Sequence, residues 1–363
     1  MPLSPENSER LIALGQALID QEKARVIVEP NERASGFWFG GGNMVQCHDG
    51  SLYVVGRYRN AGDSRLGITA GTRGLELAIF RSADNAQSFQ KVVSLNKSDL
   101  NVGGNTVLSI EGTALRIHDG QVELFVSTEK DGIGYPPGFE GFLKPGTGVW
   151  TIDRLVAPTI EQLEQSDVEP WLSSDDPEFL HIKDPFLYEL EGRLALMFCS
   201  HPFCWTSSNT GYCIQDDSQQ TEPLHTMFPR GATWDVAMTR TTAVVDVPRL
   251  GALRNEEMRL VFYDGGECVR NLNEHTNAVQ RPRGYSCEEL GGLAWMSGFT
   301  NPQRLSKYKP MFVSPHGTGC SRYVDVLTTE TGMYATWQQS QSDLSQPLVM
   351  NFLPTEEIER ILN

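Results

Sequence analysis

Five times along the 363 residues the same plan returns: a short strand, a tight turn and a second short strand. GNMVQCHDGSLYVVGRYRN (42–60), EGTALRIHDGQVELFVSTEK (111–130) and KDPFLYELEGRLALMFCSH (183–201) carry it with Asp-Gly or Glu-Gly at the turn. WDVAMTRTTAVVDV with EEMRLVFYDGGE (234–267) and CSRYVDVLTTETGMYATWQQS (320–340) carry it with a longer turn or a Thr-Gly turn. Asp-Gly marks a two-residue hairpin because both central residues of a type I′ turn need positive φ. After four of the hairpins comes a third short run, at 75–89, 147–155, 209–217 and 283–296. Hairpins starting near 43, 111, 184, 235 and 321 leave room in each unit for a four-stranded blade with long loops. The expected fold is therefore all-β, a five-bladed β-propeller over 31–363. An irregular β-sandwich is the alternative, since hairpins look alike in any antiparallel protein.

One helix precedes the repeats. Over 8–22, Leu11, Ile12, Leu14, Ala17, Leu18 and Ile19 recur at helical spacing, with Ser8 as candidate cap. It is expected to belong to an extension, 1–30, packed outside the ring. No second amphipathic stretch appears until Thr355–Leu362. Forty-six acids against 30 bases give a formal net charge of −16, which repels phosphate backbones and argues against a nucleic-acid partner. No run approaches the roughly 20 apolar residues of a membrane helix, so no membrane role is expected. Seven scattered cysteines do not make a disulfide framework and read as reduced, mostly buried thiols. The N-terminus has no cationic start followed by an apolar run, so the chain as written reads as cytoplasmic, and as periplasmic or secreted if a leader has been removed. Oligomeric state is not written in the residues.

In a propeller the first strand of each blade lines the central channel, and its first residues face the mouth. Those positions hold Gly42 and Asn43, Glu111, Asp184, Asp235, and Ser321 with Arg322. Three are carboxylates. Acids converging on one channel would raise one another's pKa, so their clustering calls for a cation, a proton or a catalytic reason. Alternatively, each caps a nearby amide or pairs with a base such as Lys183 or Arg240. Arg57 and Arg59, two apart on a strand, share a face and could fork a carboxylate, or form a surface salt bridge. His201, Asp264, Glu267 and His316 fall in corresponding loops. The adjacent Glu288 and Glu289 could lean over the pocket, one at a time. Trp38, Trp205, Trp234 and Tyr285 offer flat faces of the kind on which sugar rings stack, though aromatic residues serve blade cores equally well.

The Lys183-Asp184-Pro185-Phe186 start and the blade-by-blade acids resemble the five-bladed propeller glycoside hydrolases, the clan of arabinanases, xylosidases and invertases. In that clan an Asp in an Asp-Pro context at the third blade orients or tunes the catalytic pair, a role the resemblance implies for Asp184. The stretch 82–89, Ser-Ala-Asp-Asn-Ala-Gln-Ser-Phe, is similar to the sialidase Asp-box, with Ala86 where glycine is usual. That box is a turn device on the outside of a blade. The chain departs from the clan's pattern in blade 1, where Gly42 and Asn43 stand in place of a catalytic-base Asp.

The resemblance implies a glycosidase acting on an oligo- or polysaccharide by paired carboxylates. By blade position Asp235 is the candidate general acid, Glu111 the base or nucleophile, and Asp184 the group that holds the acid's pKa up; Glu288 or Glu289 is the substitute acid. Arg57, Arg59, Arg240 and Arg322, with Trp38, His201, Trp234, Tyr285 and His316, are the candidate substrate contacts, and the arginines point to an anionic, uronate-containing glycan. No cofactor is required. Two rivals stay open: a non-catalytic glycan-binding propeller with a central Ca²⁺ held by Glu111, Asp184 and Asp235, and a polysaccharide lyase using Tyr58, His201 or His316 as base.

Overall fold

A computed structural model describes residues 3–60, 74–215, 224–267 and 289–363. Its strands fall into five antiparallel sheets, the five blades. Blade 1 has Trp38–Gly40 and Met44–Gln46 as an interrupted inner strand, then Leu52–Arg59, Glu76–Ser82 and Gln90–Asn96. Blade 2 runs Thr106–His118, Gln121–Asp131, Val149–Ala157 and Glu169–Leu172; blade 3 runs His181–Leu190, Arg193–His201, Asn209–Ile214 and His225–Phe228. Blade 4 runs Met238–Asp246, Arg259–Gly266, Leu290–Met296 and Gln303–Arg304. Blade 5 has Ser321–Thr329, Gly332–Gln339 and Leu348–Pro354, and its outermost strand is Arg25–Val28 from the other end of the chain. The boundary expected at residue 30 is thus crossed: four residues of the N-terminal segment complete the last blade.

The core is divided among the seams between blades. A middle strand is covered on both faces, so alternate residues serve different seams and the strand reads as a continuous apolar run. In Arg193–His201, Leu194, Leu196 and Phe198 pack toward blade 2, while Ala195 and Met197 pack toward blade 4. In Leu52–Arg59, Tyr53 and Val55 face blade 2, and Leu52, Val54 and Tyr58 face blade 5. Each fully buried Leu or Phe contributes about 1.5–3 kcal/mol, which makes these seams the main source of stability.

Turn chemistry follows the sequence closely. Asp119 and Gly120 have φ of +49° and +74°, and Glu191 and Gly192 +50° and +78°, the paired positive values of type I′ hairpins. In the first hairpin only Gly50 is left-handed, and Asp49 instead accepts the Ser51 amide at 2.9 Å. In the 82–89 turn Asp84 accepts the Ser88 amide at 3.0 Å and the Ser82 hydroxyl at 2.7 Å, and Ala86 sits at φ +63°, a conformation that favours glycine.

The helix spans Pro5–Leu18, three residues earlier than expected at its start. Ser4, not Ser8, is its cap, accepting the Asn7 amide at 3.1 Å, and Pro5 opens the first turn with φ already suited to a helix. Leu11, Leu14 and Leu18 are fully buried against blades 4 and 5 and the C-terminal helix Thr355–Leu362. Gly15 permits this approach: a Cβ there would stand 2.6 Å from Leu293.

Candidate active site

Four inner strands slip register at one depth, where two residues oppose one or one residue has no counterpart. The irregularities lie between Ile110 and Thr113, Lys183 and Phe186, Thr241 and Ala243, and Arg322 and Asp325. In blade 1 the strand itself breaks over 41–43. Such bulges re-aim side chains. Here they turn Glu111, Asp184 and Tyr323 toward the axis, and Asp184 and Tyr323 both take φ +53° to get there, which costs each of order 1–2 kcal/mol.

Around that level four acids meet four bases. Arg57 donates to Glu111 Oε2 at 3.1 Å and to the Tyr323 hydroxyl at 3.1 Å. Arg240 donates to Asp184 Oδ2 at 3.0 Å, Asp264 Oδ2 at 2.7 Å, Glu289 Oε2 at 2.6 Å and the Tyr323 hydroxyl at 3.0 Å. Arg322 also reaches Glu289 Oε2, at 2.6 Å, and Lys183 Nζ lies 3.9 Å from Asp184 Oδ2. Asp184 Oδ1 accepts the Gly112 amide at 2.9 Å and the Tyr323 hydroxyl at 3.4 Å; both oxygens of Asp264 accept the Tyr323 amide at 3.1 Å. Arg57, Asp184, Arg240, Asp264, Arg322 and Tyr323 are all buried, whereas the Glu289 side chain keeps 23% of its exposure.

These neighbours set protonation. Burial alone would raise Glu289, but Arg240 and Arg322 outweigh it and hold the carboxyl ionised, well below the ordinary range. Burial would likewise depress Lys183, yet Asp184 and Glu111 keep it protonated. Asp264, fully enclosed, is pushed up to about 6 by burial against the pull of Arg240. Burial moves the Tyr323 hydroxyl to about 12, so it serves as a neutral hub for two guanidiniums and a carboxylate.

Of the residues singled out by sequence, Arg57, Glu111, Asp184, Arg240, Glu289 and Arg322 come together. Trp38 lies beside them, but Arg59 and Arg322 stand 4.3 and 4.0 Å from its ring centroid, so cations rather than an open face flank the indole. Asp235 does not join. It precedes the inner strand Met238–Asp246 and is clamped by Arg304, of the outermost strand, at 2.6 Å. Trp234 is core, stacked on Tyr263 at 5.6 Å with its Nε1 donating to the Ser306 carbonyl. His316 is exposed on a turn before blade 5. Glu288 and Tyr285 lie outside the described residues. Asp264 sits within a strand rather than a loop.

The rival assignments also disperse. Tyr58 packs at 4.7 Å against Phe39 in the seam between blades 5 and 1. His201 is buried, its Nδ1 2.9 Å from the Ser207 carbonyl oxygen, and burial with Lys183 and His181 nearby keeps its ring neutral. The Ca²⁺ set loses Asp235, and among the described residues no group of three or more His, Cys, Asp or Glu is placed to hold a metal.

Tyr323 escaped the sequence reading, although a signal existed: Arg322-Tyr323 aligns with Lys183-Asp184, a cation followed by the bulge residue. Past the bulges, the inner strands enclose a cavity of about 400 Å³ whose lining includes Asp184, Tyr323 and Asp325. Asp325 accepts the Met44 amide at 2.8 Å and is raised by burial to about 7.

No protein-family model and no curated protein matches this sequence. Solved structures do match. "Glycoside hydrolase" superposes with a TM-score of 0.63 at 11% identity, covering 97% of this chain and 96% of that one. A complex of BT0996 with RGII gives 0.61 at 11% identity, over 96% of this protein and 96% of that one. The α-L-arabinofuranosidase from Lactobacillus brevis gives 0.54 at 8% identity, over 89% of this chain and 92% of that one. The likeness is one of fold. It spans the whole propeller and fits the architecture read from the hairpin repeat.

Proposed function

We propose that this chain is a glycoside hydrolase acting on a glycan that carries an anionic sugar, with Glu289 and Glu111 as its working carboxylates. The observation that carries the reading is the meeting of Glu111, Asp184 and Glu289 with four basic side chains at the axis of a fold that named glycoside hydrolases share. Glycosidic hydrolysis needs one carboxyl that delivers a proton to the leaving oxygen and one that stays ionised to attack or to activate water. Glu289 suits the second role, held ionised by two arginines and keeping part of its surface exposed. Glu111 is the other carboxyl: Arg57 holds its Oε2 at 3.1 Å and the Ser109 hydroxyl donates to its Oε1 at 3.2 Å, so it takes the first role only by picking up a proton as substrate displaces the Arg57 contact. Asp184, with both oxygens occupied by Arg240, Tyr323 and Gly112, acts by positioning.

An anionic sugar is favoured by Arg322, whose buried Nη2 has no hydrogen-bond partner. A buried donor left unsatisfied costs about 1–3 kcal/mol, and a substrate carboxylate at that atom would relieve it.

The test is hydrolysis of 4-nitrophenyl uronides beside their neutral counterparts. Preference for the uronide, and its loss in Arg322→Gln, is expected. Absence of cleavage of either, or full activity in both Glu289→Gln and Glu111→Gln, would overturn the reading. Formation of an unsaturated product absorbing in the ultraviolet would replace hydrolysis with elimination.

A further inference from the structure

Beside the charged cluster, the loops of blades 2 and 3 carry aromatic residues that the chemistry above does not use, with Trp205, Phe203, Phe139 and Phe142 partly or fully exposed over a buried Trp150, His181 and His201. Trp205 lies on the loop between Arg193–His201 and Asn209–Ile214, half-buried, with φ +56°. A bulky residue in the left-handed region is a strained choice, kept where the surroundings insist on it. His201 stacks on its ring at 4.1 Å, Trp150 meets it edge-on at 4.7 Å, and His181 lies at 4.9 Å. His181 takes the Tyr135 hydroxyl on Nε2 at 3.0 Å and leaves a buried Nδ1 with no partner. Lys183 joins this wall to the cluster: its Nζ is 3.9 Å from Asp184 Oδ2 and 5.3 Å from the Trp205 ring centroid. Two residues before Trp205, Phe203 begins a second group, with Phe139 at 4.7 Å and Phe142 at 4.8 Å; Phe142 is 56% exposed. The two aromatic groups thus meet on one loop, with Trp205 on the axis side and Phe203 leading to the exposed Phe142.

We infer that this surface is a subsite for the neutral sugar units of a glycan whose anionic unit lies at Arg322, an inference that rests on the glycoside-cleaving reading above. Sugar C–H faces stack on aromatic rings, and the half-buried Trp205 and Phe203 with the exposed Phe142 offer such faces. Charge decides which units lie there. Asp175, Asp176, Glu178 and Glu140 are exposed around the rim, with Pro177 accepting the Phe203 amide at 2.9 Å, so a polyanionic run of sugars would be repelled from this side while neutral units are not. The substrate class is thus a branched or mixed glycan, with an acidic unit at the axis and neutral units on the shelf.

Phe142→Ser, at an exposed site, and Trp205→Ala test the shelf in the full-length protein. One measurement is hydrolysis of a 4-nitrophenyl uronide beside an acidic oligosaccharide that also carries neutral units. The expected result is a KM for the oligosaccharide raised about 5- to 10-fold in Phe142→Ser, from the loss of one stacking contact, with hydrolysis of the aryl uronide unchanged. The second is calorimetric titration with neutral arabino- and galacto-oligosaccharides, which needs no turnover. Binding by the wild-type protein that weakens in both variants supports the shelf. Equal affinity in wild type and variants, or no binding to the wild type, overturns it. Wild-type binding without any hydrolysis would keep the shelf and discard the catalytic reading.

Discussion

Asp184 in blade 3 and Asp235 in blade 4 share a residue type, near-complete burial and an arginine partner, yet only one faces the axis. Asp184 occupies the bulge of an inner strand, and its arginine, Arg240, is shared with Asp264, Glu289 and Tyr323. Asp235 stops three residues short of its strand and faces outward to Arg304, which also holds the Pro229 carbonyl and the Thr239 hydroxyl. The first pair belongs to a network open to a ligand at Glu289; the second is a fastening between strands. Function here follows position relative to the bulge, and residue type alone does not report it.

The comparison can be broken most directly by turnover. Glu289→Gln and Asp184→Asn are expected to lower kcat by about 10²- to 10⁴-fold on the cleaved aryl glycoside, while Asp235→Asn leaves kcat of the folded protein unchanged. A kcat loss in Asp235→Asn to match Asp184→Asn would erase the distinction. Stability should run the other way for Asp235→Asn. Stranding the Arg304 charge beside a buried neutral amide costs about 3–5 kcal/mol, read as a drop in the denaturant midpoint. A smaller effect sharpens the picture of the hub: Tyr323→Phe removes a hydroxyl shared by Arg57, Arg240 and Asp184. It should cost about 10-fold in kcat, on the scale of a hydrogen bond to a charged group, and shift the pH profile of kcat, which a packing role alone would leave in place.

A pH-dependent effect lies across the bulges, at Asp325. Its folded pKa is raised by burial from 3.8 to about 7. Between roughly pH 4 and 7 the unfolded chain has released this proton and the folded chain still holds it, so stability falls as pH rises through that window and levels off above it. Asp325→Asn should flatten that part of the curve. Denaturant midpoints at either end of the window check it, and an unchanged slope would place the proton elsewhere.

Local chemistry explains what could be read in advance. The Asp119-Gly120 and Glu191-Gly192 turns announce themselves because left-handed φ is a property of two adjacent residues. The apolar runs of the middle strands reveal burial on two faces. A bulge is different, since it exists only in the pairing of one strand with another, and nothing in WDVAMTRTTAVVDV says that the inner strand begins at Met238. The first carboxylate of a hairpin therefore meets the cluster at Glu111 and Asp184, while Asp235 sits short of its strand against Arg304. The surroundings of Trp38 were hidden for a related reason, because the cations that flank it come from its strand neighbour Arg59 and from Arg322 in blade 5, nearly 300 residues away in sequence. The Arg25–Val28 strand was too short to distinguish itself, and its partner lies at the far end of the chain.

That last pairing has a consequence for how the molecule comes into being. Arg25 aligns with Met350 and Val28 with Leu348, so among the described strands the first to leave a ribosome is the one that must wait longest for its mate. Blades 1 to 4 contain all their own strands and can condense as they emerge. The circle itself shuts only after the final blade is synthesised, and until then Arg25–Val28 has unpaired amides and carbonyls to offer any passing strand.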